Sequence, residues 1–123
     1  AYYKAIRAIR HFQNAGVGPV LYDLISLVES NRNPVPPAII EATKDHYLQA
    51  FPEINASLFT SGCAVLVALR RMRVLALFTK YVRQGRDELT DLLPRIAARL
   101  RQELQHPALK PIEQWYQQYG AAI

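Results

Sequence analysis

Three histidines, one cysteine and a short Gly-Val-Gly are the residues of this 123-residue chain that first invite a chemical reading. His11, His46 and His106 lie 35 and 60 positions apart, without the close His and Glu pairings that bring metal ligands onto one helix face. The expectation is no metal site. Cys63 sits inside the apolar run Cys63 to Leu69, where a buried, unreactive thiol is expected because nucleophilic sulfur needs an accessible, electropositive setting. Gly16-Val17-Gly18 is too short for a phosphate cradle, since neither Gly-x-x-x-x-Gly-Lys nor Gly-x-Gly-x-x-Gly is completed. Asp87, Glu88 and Asp91 read as charges complementing a helix start. No residue is assigned to catalysis, cofactor or metal binding, and no cofactor is expected.

Basic residues offer a second kind of chemistry. From Ile54 to Arg86 there is no acidic residue, yet Arg70, Arg71, Arg73, Lys80, Arg83 and Arg86 all fall there. At about 100° per residue, Arg70 and Arg73 lie close, Lys80 lies near Arg73, and Arg71 is rotated away. Such a patch suits phosphate or an acidic protein surface, or is a solvated face whose stems cover apolar neighbours. The net charge of +5 also fits nucleic-acid binding, but no zinc-finger spacing, RNA-stacking consensus or basic-zipper heptad accompanies it.

The elements that would position these groups are helices. Half of the residues are hydrophobic and a fifth charged, and no run alternates as a strand does. The expectation is an all-α single domain of five or six helices over residues 1–123, with an N-terminal helix and Gly/Pro turn in 1–18 and a helical bundle in 19–123. A helix from about Val20 to Ser30 precedes the Pro34-Val35-Pro36-Pro37 loop, and the next starts at Pro36 or Pro37 and runs to about Ala50, burying Ile40, Tyr47 and Phe51. Asn55 or Ser57 caps a long helix that reaches about Gln84, with Gly62 a weak point and Gly85 its stop. Asp87 caps the following start, and Leu89, Leu92, Leu93, Ile96, Leu100 and Leu104 form one face that Pro94 kinks or restarts. His106-Pro107 opens a last helix that docks Leu109, Ile112, Trp115, Tyr116 and Tyr119. The apolar runs fall well short of the roughly 20 residues of a membrane span, and the single cysteine fits a reducing, cytoplasmic setting.

The stretch HFQNAGVGPVLYDLISLVES resembles a segment of the bacterial aminoglycoside phosphotransferase family, particularly its cell-wall sugar kinases, in which Asp-Phe-Gln-Asp-Ala leads into Gly-Pro and Tyr-Asp-Leu. The Pro-Val-Pro-Pro loop, the Val-Leu-Ala-Leu-Phe segment, Leu-Leu-Pro-Arg and His-Pro-Ala-Leu-Lys-Pro are similar to that family's C-terminal helical subdomain. His11, Gln13, Asn14, Tyr22 and Asp23 occupy its motif positions. The resemblance implies that the first motif aspartate would bind magnesium; His11 stands there, and Asn14 replaces the second. It also implies a nucleotide lobe, a phosphate-holding lysine and a catalytic base ahead of the motif, where ten residues stand here.

From these readings the expectation is not an enzyme but a non-catalytic helical module, an inhibitor, antitoxin-like or regulatory binder, acting on a protein partner or a second copy of itself. The alternative is a fragment or subunit of an aminoglycoside or sugar phosphotransferase, and a further one is a basic nucleic-acid-binding domain.

Overall fold

A computed structural model describes residues 21–29 and 34–120. Among them lie five α-helices, α1 (Tyr22–Val28), α2 (Pro37–Ala50), α3 (Ala56–Arg83), α4 (Leu92–Glu103) and α5 (Lys110–Tyr119), with 3-10 turns at Asp87–Leu89 and Pro107–Leu109. No strand occurs among the described residues, so the fold is all-α in one compact domain. The expected N-terminal helix of residues 1–18 lies outside the described residues, as do Val20 and Ser30 at the expected ends of α1.

Helix α3 is the spine: its 28 residues extend about 42 Å at 1.5 Å per residue. Asn55 starts it, its Oδ1 accepting the backbone N–H of Leu58 at 3.1 Å and satisfying one of the orphan donors of the first turn. Gly85 ends it with φ +93°, a left-handed backbone that suits glycine, while the N–H groups of Gly85 and Arg86 donate to the carbonyls of Val82 and Tyr81. Gly62 lies within the continuous helix. A Cβ at that position would meet Leu21 Cδ1 at 3.3 Å, so the missing side chain lets the start of α1 approach α3.

Two apolar cores line this spine. Near its start, Ile25 of α1 packs with Phe59, Cys63 and Val67, and Tyr47 of α2 stacks on Phe59 with ring centroids 5.8 Å apart. Farther along, Ala68, Leu75 and Phe78 pack with Ile96, Leu100, Leu104 and Leu109. Pro94 is the third residue of α4, where the N–H it lacks would have no intrahelical partner, so it helps start the helix rather than kinking it. Among the described residues no helix is long and apolar enough to cross a membrane.

Four local expectations need correction. Phe51 is 43% exposed, because α2 ends at Ala50 and the ring rests only on Tyr47, 4.9 Å away. Trp115 and Tyr119 are also exposed; they tilt against each other at 5.7 Å while Leu109, Ile112 and Tyr116 make the inward face. Asp87 lies inside its 3-10 turn, whose cap position is Arg86 and has no side-chain capping bond. His106 does cap, its Nδ1 accepting the N–H of Ala108 at 3.2 Å.

Candidate substrate-binding site

Two glutamates stand where a helix least favours them. Glu29 is the C-cap of α1 and Glu103 the last residue of α4, and the carbonyl end of each helix carries partial negative charge. A cation between them offsets that cost. Arg71, from the middle of α3, donates from Nε to both carboxylate oxygens of Glu103 at 3.1 and 3.2 Å and from Nη2 to Oε1 at 2.7 Å. The planar guanidinium matches the carboxylate with parallel bonds that an ammonium could not reproduce. The same Nη2 lies 3.6 Å from Glu29 Oε2, and the three side chains are only 7, 11 and 14% exposed for Arg71, Glu29 and Glu103.

Arg99, half exposed on α4, closes the cluster from outside at 3.7 Å from each glutamate. Burial pushes the Glu103 carboxyl above its ordinary value, against the hydrogen bonds and charge of Arg71. The Cys63 thiol is likewise pushed up by burial, which keeps it protonated and unreactive.

The ion cluster separates two clefts of opposite character. One, of about 350 Å³, lies between the end of α1, the Pro34-Val35 approach to α2, and α4. Its charges are Glu29 against Arg71, Arg95 and Arg99, and Val28, Ile40, Leu92 and Ile96 are among its apolar walls. The other, of about 340 Å³, carries Glu29, Glu41, Asp45 and Glu103 against Lys44 and Arg99, with Phe59 on its wall. The first cleft is basic with apolar walls; the second is mostly acidic, and the Phe59 ring at its edge is only 3% exposed. No group of three metal-ligating side chains occurs among the described residues.

The basic patch expected from the sequence does not assemble as one surface. Arg71 is buried in the ion cluster, Arg70 is partly buried, and Arg73, Lys80, Arg83 and Arg86 are exposed. Arg86 turns back over the Tyr81 ring at 5.1 Å and pairs with Glu88 at 2.9 Å. Of the motif positions, His11, Gln13 and Asn14 lie outside the described residues. Tyr22 is half-buried, and Asp23 is exposed in the first turn of α1 without a hydrogen bond or ion pair among the described residues. Ser26 Oγ and Arg70 Nε are buried without partners there.

Glu29, Arg95, Arg99 and Glu103 were missing from the residues singled out in the sequence. The usable signal was the placement of Glu29 and Glu103 at helix ends that disfavour negative charge.

No protein-family profile matches the chain. It is 33% identical over 109 residues to the N-acetylmuramate/N-acetylglucosamine kinase of Caulobacter vibrioides. The chain is similar to a sugar kinase. The match takes in 88% of this chain but only 30% of that kinase, so the chain spans less than a third of its relative's length. The expectations of a non-catalytic binder and of a chain that is not an enzyme are corrected by this match. The relative is an enzyme, and a kinase fragment fits better.

Proposed function

We propose that this chain is the helical, substrate-facing part of a small-sugar phosphotransferase, corresponding to the C-terminal helical subdomain of an aminoglycoside-phosphotransferase-like kinase. The observation that carries the reading is the 33% identity to a sugar kinase along 88% of the chain. Phosphoryl transfer needs an attacking hydroxyl held in line with a nucleotide, a metal and a base. On this reading the helices supply the first requirement, and His11 and Asn14, the positions the resemblance ties to magnesium, lie outside the described residues. The clefts flanking the Arg71 cluster are sized for one sugar ring and carry the paired polar and apolar groups that a sugar's hydroxyls and faces require.

Ligand-observed NMR on the 123-residue chain, with N-acetylglucosamine and N-acetylmuramate in turn, tests this. Saturation transfer to the sugar's acetyl methyl is expected. A folded chain that transfers to neither sugar overturns the reading.

A further inference from the structure

Arg95 and Arg99 stand one turn apart on α4 and both border the cleft of about 350 Å³. Like charges at this spacing repel, and the neighbouring glutamates relieve only part of that repulsion. Glu29 and Glu103 are already engaged by Arg71 at 2.7 to 3.6 Å, and they reach Arg99 only at 3.7 Å. Arg95 has no ion pair or hydrogen bond among the described residues. Among the described residues that line the cleft or pair with its arginines, Arg71, Arg95 and Arg99 exceed Glu29 and Glu103 by one positive charge. The walls of the cleft add the apolar surface of Val28, Val35, Ile40, Leu92 and Ile96. An anion on a compact, partly apolar body suits such a place, and a fork-shaped guanidinium favours a planar carboxylate.

We propose that Arg95 and Arg99 form a carboxylate-binding subsite, by which the cleft selects a sugar bearing an acidic substituent over its neutral counterpart. The subsite rests on the sugar-phosphotransferase reading for its ligand, but its chemistry is that of the cleft itself. The two arginines are specificity determinants and take no part in phosphoryl transfer. Arg71 plays a different part. It lines the same cleft but is gripped by Glu103 and lies 3.6 Å from Glu29.

N-acetylmuramate and N-acetylglucosamine differ by a lactyl ether that carries a carboxylate, so the pair isolates the group in question. Affinities for both, and for D-lactate alone, are measured by NMR titration on the 123-residue chain and on R95Q, R99Q and the control R83Q. All four proteins are first checked for unchanged backbone spectra.

N-acetylmuramate is expected to bind at least about tenfold more tightly than N-acetylglucosamine, as charge-assisted hydrogen bonds imply. R95Q and R99Q should each erase most of that ratio by weakening N-acetylmuramate far more than the neutral sugar, and R83Q should change neither. Equal binding of both sugars, unaltered by R95Q, overturns the subsite and leaves the phosphotransferase reading standing. If neither sugar binds but D-lactate shifts the Arg95 and Arg99 side-chain resonances, the subsite holds and the sugar reading falls. Silence from all three ligands overturns both.

Discussion

Helix α3 is held by different physics in two regions, its later half and the ion cluster at its middle. Its later half is closed by aliphatic packing: Leu75 and Phe78 meet Ile96, Leu100, Leu104 and Leu109, and the last three of these are at most 1% exposed. Where α1 and the end of α4 come together over Arg71, the contact is instead a cluster of charges bordered by open clefts. Apolar packing stabilises in proportion to the area it hides and accepts many solutions. A partly buried ion cluster contributes little net stability and tolerates few alternatives, because each member is costly without its partners. The later apolar region holds by buried area, whereas the cluster at the middle of α3, beside the Ile25, Phe59, Cys63 and Val67 core, holds by pairing.

The sharpest way to test the apolar half is Leu100→Ala. Leu100 is fully buried, and removing its terminal isopropyl group leaves a cavity that the surrounding side chains fill only in part. A loss of about 4 kcal/mol is expected, read from the urea midpoint at constant m-value. An undiminished midpoint would show that this core is looser than its burial indicates.

Arg71→Met is the matching test of the charged region, expected to cost about 3 kcal/mol because it strands Glu103 and Glu29 with only distant Arg99. The double variant Arg71→Met with Glu103→Leu should recover part of that loss, since it removes one of the two stranded charges and leaves Glu29 facing Arg99. No such rescue is available to Leu100→Ala. If the double variant is no more stable than the single, the cluster is stabilising in its own right and the contrast between the regions narrows.

The same contrast explains what was legible in the sequence. The apolar face of Ile96, Leu100 and Leu104, the glycine stop at Gly85 and the proline at the start of α2 are local signals, each written within a few residues. The Arg71 cluster is not local. Glu29, Arg71 and Glu103 come from three helices, 42 and 32 positions apart, and nothing in their neighbourhoods says which will meet. In a string of basic residues Arg71 looked like its neighbours, and only the rotation that set it apart from Arg70 and Arg73 hinted at its inward direction. Phe51 and Trp115 erred the other way: size and apolarity suggested burial, but helix ends and a one-sided α5 left them uncovered.

Glu103 also makes the charged region sensitive to pH. Burial raises its proton affinity in the folded state above the ordinary value near 4.5, so between those two values the folded chain binds more protons than the unfolded one. Stability from this group is fully present below about 4.5 and is lost as the pH rises through the folded value. The urea midpoint should therefore fall across that interval, and Glu103→Gln should flatten the fall. Glu88 acts in the opposite sense and at lower pH, since its hydrogen bond from Arg86 lowers its proton affinity, and its small contribution disappears on acidification. A slope that survives Glu103→Gln would place the pH sensitivity outside the cluster.

The smallest effect belongs to the start of α3. Both Asn55 and Ser57 had the chemistry to cap it, and the structure selects Asn55, whose extended backbone aims Oδ1 at the Leu58 N–H. Leu58 is 73% exposed while Phe59, the next residue, is buried, so the cap acts beside a packed ring and its loss is felt locally. Asn55→Ala should cost about 1 kcal/mol. Ser57→Ala should cost almost nothing, because Ser57 already lies inside the helix. Amide hydrogen exchange separates local from global consequences: Asn55→Ala should speed exchange in the first turn of α3 more than at Leu75 and Phe78. Equal acceleration at both ends would mean that the two apolar cores and the ion cluster between them open as one unit, and that the division is one of composition rather than of cooperativity.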